Sequence, residues 1–179
     1  MLHSLTQNHP FKVESIKKSA EQSKADSEKK KELSAENAKK DAAKKRIKAL
    51  PKASSALRAA AIDDNEAEAK RLIAAGENPD SVFNGITMMG VATPHGSAKV
   101  VKVLLDAGVD PNAACNQYGS VPLMNAARTD RASPALIKLL LAAGADVNAT
   151  VDKYSILHAA CENSTPEVVK ALIKHGGIM

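Results

Sequence analysis

Residues 103–112 read Val-Leu-Leu-Asp-Ala-Gly-Val-Asp-Pro-Asn, and the same phrase occurs three more times along the chain. It stands earlier as RLIAAGENPD at 71–80, and later as LLLAAGADVN at 139–148 and ALIKHGGIM at 171–179. Aligned on glycine, the copies place Gly76, Gly108, Gly144 and Gly176 at steps of 32, 36 and 32 residues. Two other columns keep that step: the polar residues Asn65, Ser97, Ser133 and Thr165, and the apolar pairs Leu72/Ile73, Leu104/Leu105, Leu140/Leu141 and Leu172/Ile173. Three columns with one period of about 33 residues mark an internal repeat, the feature to settle before any other assignment.

Each unit is physically consistent as a helix pair. The polar residue suits an N-cap, accepting a hydrogen bond from a free N–H of the next turn. Pro134 and Pro166 follow their caps at the first helical position, where a missing N–H costs nothing. Val100, Val101, Val103, Leu104 and Leu105 recur at helical spacing and predict a buried stripe. The glycine just past that stripe suits a left-handed C-cap. Before each cap lies a shorter, small-residue helix, at Leu57–Ala61, Leu123–Ala127 and Leu157–Cys161, where alanine permits close approach.

These residues resemble the ankyrin repeat, whose pattern has a hairpin glycine, then TPLHxAA, then a turn, then VVxxLLxxGADVN. The chain shows Gly119-Ser120-Val121-Pro122-Leu123 with Ala126-Ala127, Leu157-His158-Ala159-Ala160, and Gly144-Ala145-Asp146-Val147-Asn148-Ala149. It also shows Val100-Val101-Lys102-Val103-Leu104-Leu105 running into Gly108. The resemblance covers residues 49–179 and implies an all-α solenoid of stacked helix-turn-helix units with short β-hairpin fingers. The four units run at approximately 49–80, 81–112, 113–148 and 149–179. Three departures stand out: two extra residues around Asp130-Arg131, Met88-Met89-Gly90 where the family has PLH, and an ending at Gly176-Gly177-Ile178-Met179 before any closing hairpin. The last reads as an incomplete repeat, which implies either a fragment of a longer array, the favoured reading, or an end that packs on something else.

Composition agrees with close-packed helices. Alanine supplies 32 of the 179 residues, only four side chains are aromatic and Trp is absent, which disfavours sheet-rich folds. The formal charge is +5 and unevenly placed. Residues 12–48 hold thirteen bases and seven acids, a net +6, whereas everything from Ala49 onward sums to −1. Between Ile16 and Ile47 the only large aliphatic is Leu33, so residues 1–48 read as a basic arm unable to fold against itself. Glu14/Lys18, Glu36/Lys40 and Asp41/Lys45 are helix-favouring pairs, which makes that arm flexible or partly helical and solvated. No apolar run approaches the roughly 20 residues of a membrane span, and two cysteines make no multi-bridge framework. The chain therefore reads as soluble and intracellular, cytoplasmic in the first instance, with the nucleus as an alternative.

Little of this points to chemistry. His158 and Cys161 are three apart on one helix, a spacing two metal ligands could use. The resemblance, however, makes His158 the structural histidine that hydrogen-bonds between neighbouring units, and Cys161 stands in a small buried alanine's place. His95 falls in a turn and His175 near a helix end, with no paired carboxylates and no phosphate loop or nucleophile motif. The expectation is no catalytic site, no metal and no cofactor; an enzyme would require a domain outside these residues.

The aromatics are more pointed. Phe83, Tyr118 and Tyr154 all precede an inner helix, beside the hairpin glycines Gly85 and Gly119 or the equivalent Lys153. In ankyrin repeats these tips are the fingers that contact partners, and aromatic residues are enriched among interface hot spots. By position Ile86, Gln117, Ser120 and Asp152 flank them, and His95, Arg128 and Glu162 emerge from the inner helices. Mixed charge there argues for a protein partner rather than nucleic acid. The competing reading is charge-driven: the arm contacts nucleic acid, an anionic membrane or an import receptor. Lys29, Lys30 and Lys31, then Lys44, Lys45, Arg46 and Lys48, resemble a two-part nuclear-import signal read in extended form, although charge runs are ordinarily solvated.

Overall fold

Ser54, Asn65, Thr87, Ser133 and Ser155 each accept a hydrogen bond from the backbone N–H three residues on, and each opens a helix. That recurrence sets the architecture. The computed structural model describes residues 10–131 and 133–178, with residues 10–20 in backbone only. The chain divides between Ala38 and Lys39 into two compact units.

The first unit consists, among the described residues, of most of helix α1 (Pro10–Ala49). From Glu21 to Ala38 its side chains are exposed, apart from a half-buried Glu36; even Leu33 is open to solvent. The second unit begins at Lys39, not at Ala49 as the charge profile suggested. The physical reason is that Ala43 and Ile47, four apart on one helical face, are buried in it.

After α1 the second unit alternates short inner helices with longer outer ones. The inner set is α2 (Ser55–Ile62), α4 (Met88–Ala92), α6 (Pro122–Ala127) and α8 (Ile156–Asn163). The outer set is α3 (Glu66–Ala74), α5 (Ala98–Asp106), α7 (Pro134–Ala142) and α9 (Pro166–Lys174). Inner helices pack on inner, α2 on α4 and α6 on α8, and outer on outer, α3 on α5, α5 on α7 and α7 on α9. One continuous core runs through the stack, with Leu57, Met88, Leu104, Leu123, Ile137, Leu140, Ile156 and Leu172 shut away from water.

The outer helices end as the glycine column requires. Gly76, Gly108, Gly144 and Gly176 all adopt positive φ, between 86° and 102°. The following N–H reaches back to the helix, as in Glu77 N donating to Leu72 O and Val109 N to Leu104 O, both at 3.1 Å.

The cap column holds only in part. Asn65 and Ser133 cap their helices, but the side chains of Ser97 and Thr165 make no cap bond. Ser97 instead donates to Ile62 O of the preceding unit at 3.3 Å. The start of α5 is capped from that unit too, Val100 N donating to Asp64 Oδ1 at 3.0 Å. Similar staples tie later units. Asn112 bonds Gly144 O and Asp146 N, Asn148 bonds Gly176 O and Ile178 N, and Ser164 donates to Ala127 O. Unit-to-unit polar bonds of this kind complement the apolar contacts between neighbouring units.

Gly90 explains the Met-Met-Gly departure. A Cβ there would stand 2.8 Å from Cys115 Cβ and 2.9 Å from Ile86 Cγ2, so any side chain would push α4 off the neighbouring unit.

Candidate partner-binding surface

The first finger pairs β1 (Val82–Phe83) with β2 (Ile86–Thr87), Phe83 opposite Ile86. Its turn residues Asn84 and Gly85 both have positive φ, 51° and 78°, the primed turn that suits strand twist. The last finger pairs β3 (Thr150–Val151) with β4 (Tyr154–Ser155) over Asp152 and Lys153 at φ 53° and 65°. Lys153 thus takes the backbone conformation of the hairpin glycine whose place it fills. The middle finger is a loop rather than a strand pair among the described residues. Cys115 N donates to Ser120 O at 2.7 Å, and Asn116 Oδ1 accepts from Tyr118 N and Ser120 N. Thr87 N donates to Cys115 O at 2.9 Å, stitching the first finger to the middle one.

The three aromatics meet different fates. Tyr118, propped on the Asn116 turn, is 62% exposed. Phe83 is half-buried, packed against the core with the Arg58 guanidinium 5.0 Å over its ring. Tyr154 is also half-buried, its ring 5.8 Å from that of His158. The neighbouring Glu162 carboxylate, together with desolvation, raises the Tyr154 pKa. Phe83 and Tyr154 are therefore packing residues as well as finger residues.

Of the flanking residues, Ile86, Gln117 and Asp152 are exposed on the fingers, and His95, Arg128 and Glu162 are exposed at the inner-helix ends. The His95 ring bonds Val91 O at 2.8 Å through Nδ1. Ser120 departs from the expectation: it is buried, and its hydroxyl donates to Asn125 Oδ1, locking the middle finger to α6. Arg128, Asp152, Tyr154 and Glu162 converge, with Met124 and Val151, on one cleft of about 270 Å³. Arg58 escaped the sequence reading, although it is the one charged side chain in an otherwise alanine-rich inner helix.

The histidine and cysteine readings also shift. His158 Nδ1 lies 2.7 Å from Ser155 Oγ, a bond inside its own unit rather than between units. Cys161 is exposed, not buried like the alanine it replaces, because the end of α8 turns to solvent. Cys115 is the buried thiol, and burial pushes its pKa up to about 12. A thiol raised in this way stabilises the fold below the ordinary thiol range, and the contribution is lost as pH climbs toward 12. At pH 8 an aromatic disulfide reagent should therefore release one thiol equivalent quickly, from Cys161, and the second only on unfolding. Rapid release of both would contradict the placement of Cys115.

Among the described residues no group of three His, Cys, Asp or Glu side chains could hold a metal. Among the described residues no helix is long and apolar enough to cross a membrane. Lys29, Lys30 and Lys31 are exposed on the first unit's helix; Lys44, Lys45 and Lys48 are exposed on the second unit's part of α1, where Arg46 is half-buried. Both basic clusters are helical, whereas an import signal is read in extended form.

Residues 107–179 match the family model of ankyrin repeats, in three copies. No curated protein matches the chain. The helix pairs from Ser55 to Asp106 stack in continuous order with the matched segment, and the whole forms a helix-turn-helix solenoid with short antiparallel hairpins. Residues 107–179 therefore belong to the ankyrin repeats, modules that generally bind other proteins and are typically not catalytic.

Proposed function

We propose that the face made by the finger tips and inner-helix ends binds a protein partner, with Tyr118 and Ile86 as its exposed apolar anchors. The observation that carries this reading is the presentation of Tyr118. A large aromatic side chain stands 62% exposed on a turn held by Asn116, so its presentation costs little further ordering on binding. Ile86, 41% exposed, stands on the finger that Thr87 ties to the same loop. Arg128, Asp152 and Glu162 supply a mixed-charge rim that favours a partner with both signs of charge.

The test uses the full chain as bait, beside a Tyr118→Ala/Ile86→Ala variant, with captured proteins quantified. A partner of this face should bind the variant at least about tenfold more weakly, the scale of losing a hot-spot aromatic. Melting should be unchanged, because neither side chain is buried. Equal retention by both proteins would remove the reading. Phe83 and Tyr154 make poorer probes, since their contacts with Arg58, His158 and Glu162 would confound binding with stability.

A further inference from the structure

The second unit holds a feature that ankyrin-type stacking does not require: a helical segment laid across its own loops. Ala43 and Ile47 are buried, and between them on the same side Arg46 reaches two loops at once. One guanidinium nitrogen donates to Ala114 O at 2.7 Å, and another pairs with Asp80. One and a half turns earlier, Lys40 pairs with Asp152 of the last finger. Residues 39–49 therefore span three successive loop junctions, following α3, following α5 and at the last hairpin. The fit is incomplete. A cleft of about 380 Å³ remains where Lys39, Ala42, Ala43 and Arg46 face Val121 and Ala149. The charges are complementary, basic on the helix and acidic at Asp80, Asp146 and Asp152 on the loops.

We propose that this loop face is a second recognition surface, shaped for a short basic amphipathic helix of a partner protein, and that residues 39–49 are its resident occupant. The chemistry of the incoming helix is read from the occupant. It needs an arginine to bridge Asp80 and the Ala114 carbonyl, an aliphatic residue next to it in the place of Ile47, and a lysine six residues before the arginine to meet Asp152. A side chain larger than Ala42 fills the remaining cleft, which gives a partner helix its advantage over the resident one. An acidic helix is excluded by the three aspartates. The resident helix is displaceable because its anchors are few: two buried apolar side chains, the Arg46 bond to Ala114 O, and two partly exposed ion pairs of the kind that contribute little and weaken with salt. This surface shares Asp152 with the finger-tip face but is otherwise built from other residues, and the proposal does not rest on the finger-tip reading.

The test keeps the full chain and loosens the occupant with Arg46→Ala/Ile47→Ala. A fluorescent peptide of residues 36–50 is then titrated into the variant and into the unaltered chain, with anisotropy as the readout. The variant should bind saturably, and at least about tenfold more tightly than the unaltered chain, whose own helix competes at high effective concentration. The same peptide carrying Ala42→Leu should bind more tightly still. Adding Asp80→Asn should weaken binding about fivefold, as should raising the salt. No saturable binding to a variant of native circular dichroism, or binding indifferent to Asp80→Asn, would overturn the proposal. Equal affinity of the two peptides would overturn the claim that the seat exceeds its occupant. A loss of fold in the loosened variant is met by a second measurement on the full chain carrying only Asp80→Asn. Amide exchange across residues 39–49 should speed up several-fold there, and unchanged exchange would overturn the docking itself.

Discussion

Leu104→Ala is expected to lower the free energy of unfolding by about 2–5 kcal/mol, the range for emptying a well-packed aliphatic site. Leu104 lies on α5 and is fully buried, with α3 packed on one side of that helix and α7 on the other. Three layers would have to shift to close the space, and the helices are already held by inter-unit bonds at Ser97 and Asp64. Relaxation is therefore partial, and the cavity term adds to the lost transfer energy. In a stack where each unit touches only its neighbours, damage at an internal interface weakens both junctions of that unit. Ile173→Ala is the control, because Ile173 is 56% exposed on α9 and should change stability by only about 0.5 kcal/mol or less. Urea unfolding followed by circular dichroism measures both. A Leu104→Ala loss as small as that of Ile173→Ala would contradict the packing described.

Gly96→Ala is expected to cost about 2–4 kcal/mol, from left-handed backbone strain plus a steric clash. Gly96 has φ 75°, and an added Cβ would come 2.5 Å from the carbonyl oxygen of Arg131. That oxygen belongs to the lengthened turn of the third unit, so the two-residue insertion is accommodated by a glycine one unit earlier. Backbone yields less readily than the end of a side chain, and the turn would have to lift from the second repeat. Gly85→Ala isolates the conformational part. Its φ is 78°, almost the same, but a Cβ there meets nothing within 4 Å. The hairpin glycine should cost about 1 kcal/mol by replacement, from its backbone conformation alone. Thermal melts of the two variants should differ clearly, and equal shifts would show that the insertion does not lean on Gly96.

Much of this architecture is legible in the residues because the signals are local and repeated. The glycine column, the apolar stripes and the inner alanine helices all depend on contacts within a turn or two. What is not legible depends on residues far apart in sequence. Ser97 occupies the cap column, but Asp64, which lies 36 residues before Val100, supplies the bond to Val100 N, so the column misassigns the role. Ala43 and Ile47 carry a four-residue spacing that could have shown a docked face, yet it is submerged in a lysine-rich run. The bond from Arg46 to Ala114 spans 68 residues and leaves no mark on periodicity.

The same distinction holds at the candidate surface. The places of Phe83, Tyr118 and Tyr154 beside the hairpin turns follow from the repeat register, but their orientations do not. Arg58 covers Phe83, while His158 and Glu162 hold Tyr154, each pairing a finger with an inner helix. Ser120 shows the opposite failure. Position put it on the finger surface, whereas the Asn125 bond draws it into the base of the loop. Cys161 was assigned by the alanine it replaces, and an alignment column cannot report that α8 ends in solvent.

The most direct test of the central claim is a hydrogen-exchange footprint of the full chain with a captured partner bound. Protection is predicted at Ile86, at Gln117 and Tyr118, and at the inner-helix ends around Arg128 and Glu162, with the outer helices α5, α7 and α9 unchanged. Protection confined to the outer helices, or to α1, with the finger tips exchanging as in the free chain, would contradict the assignment of this face.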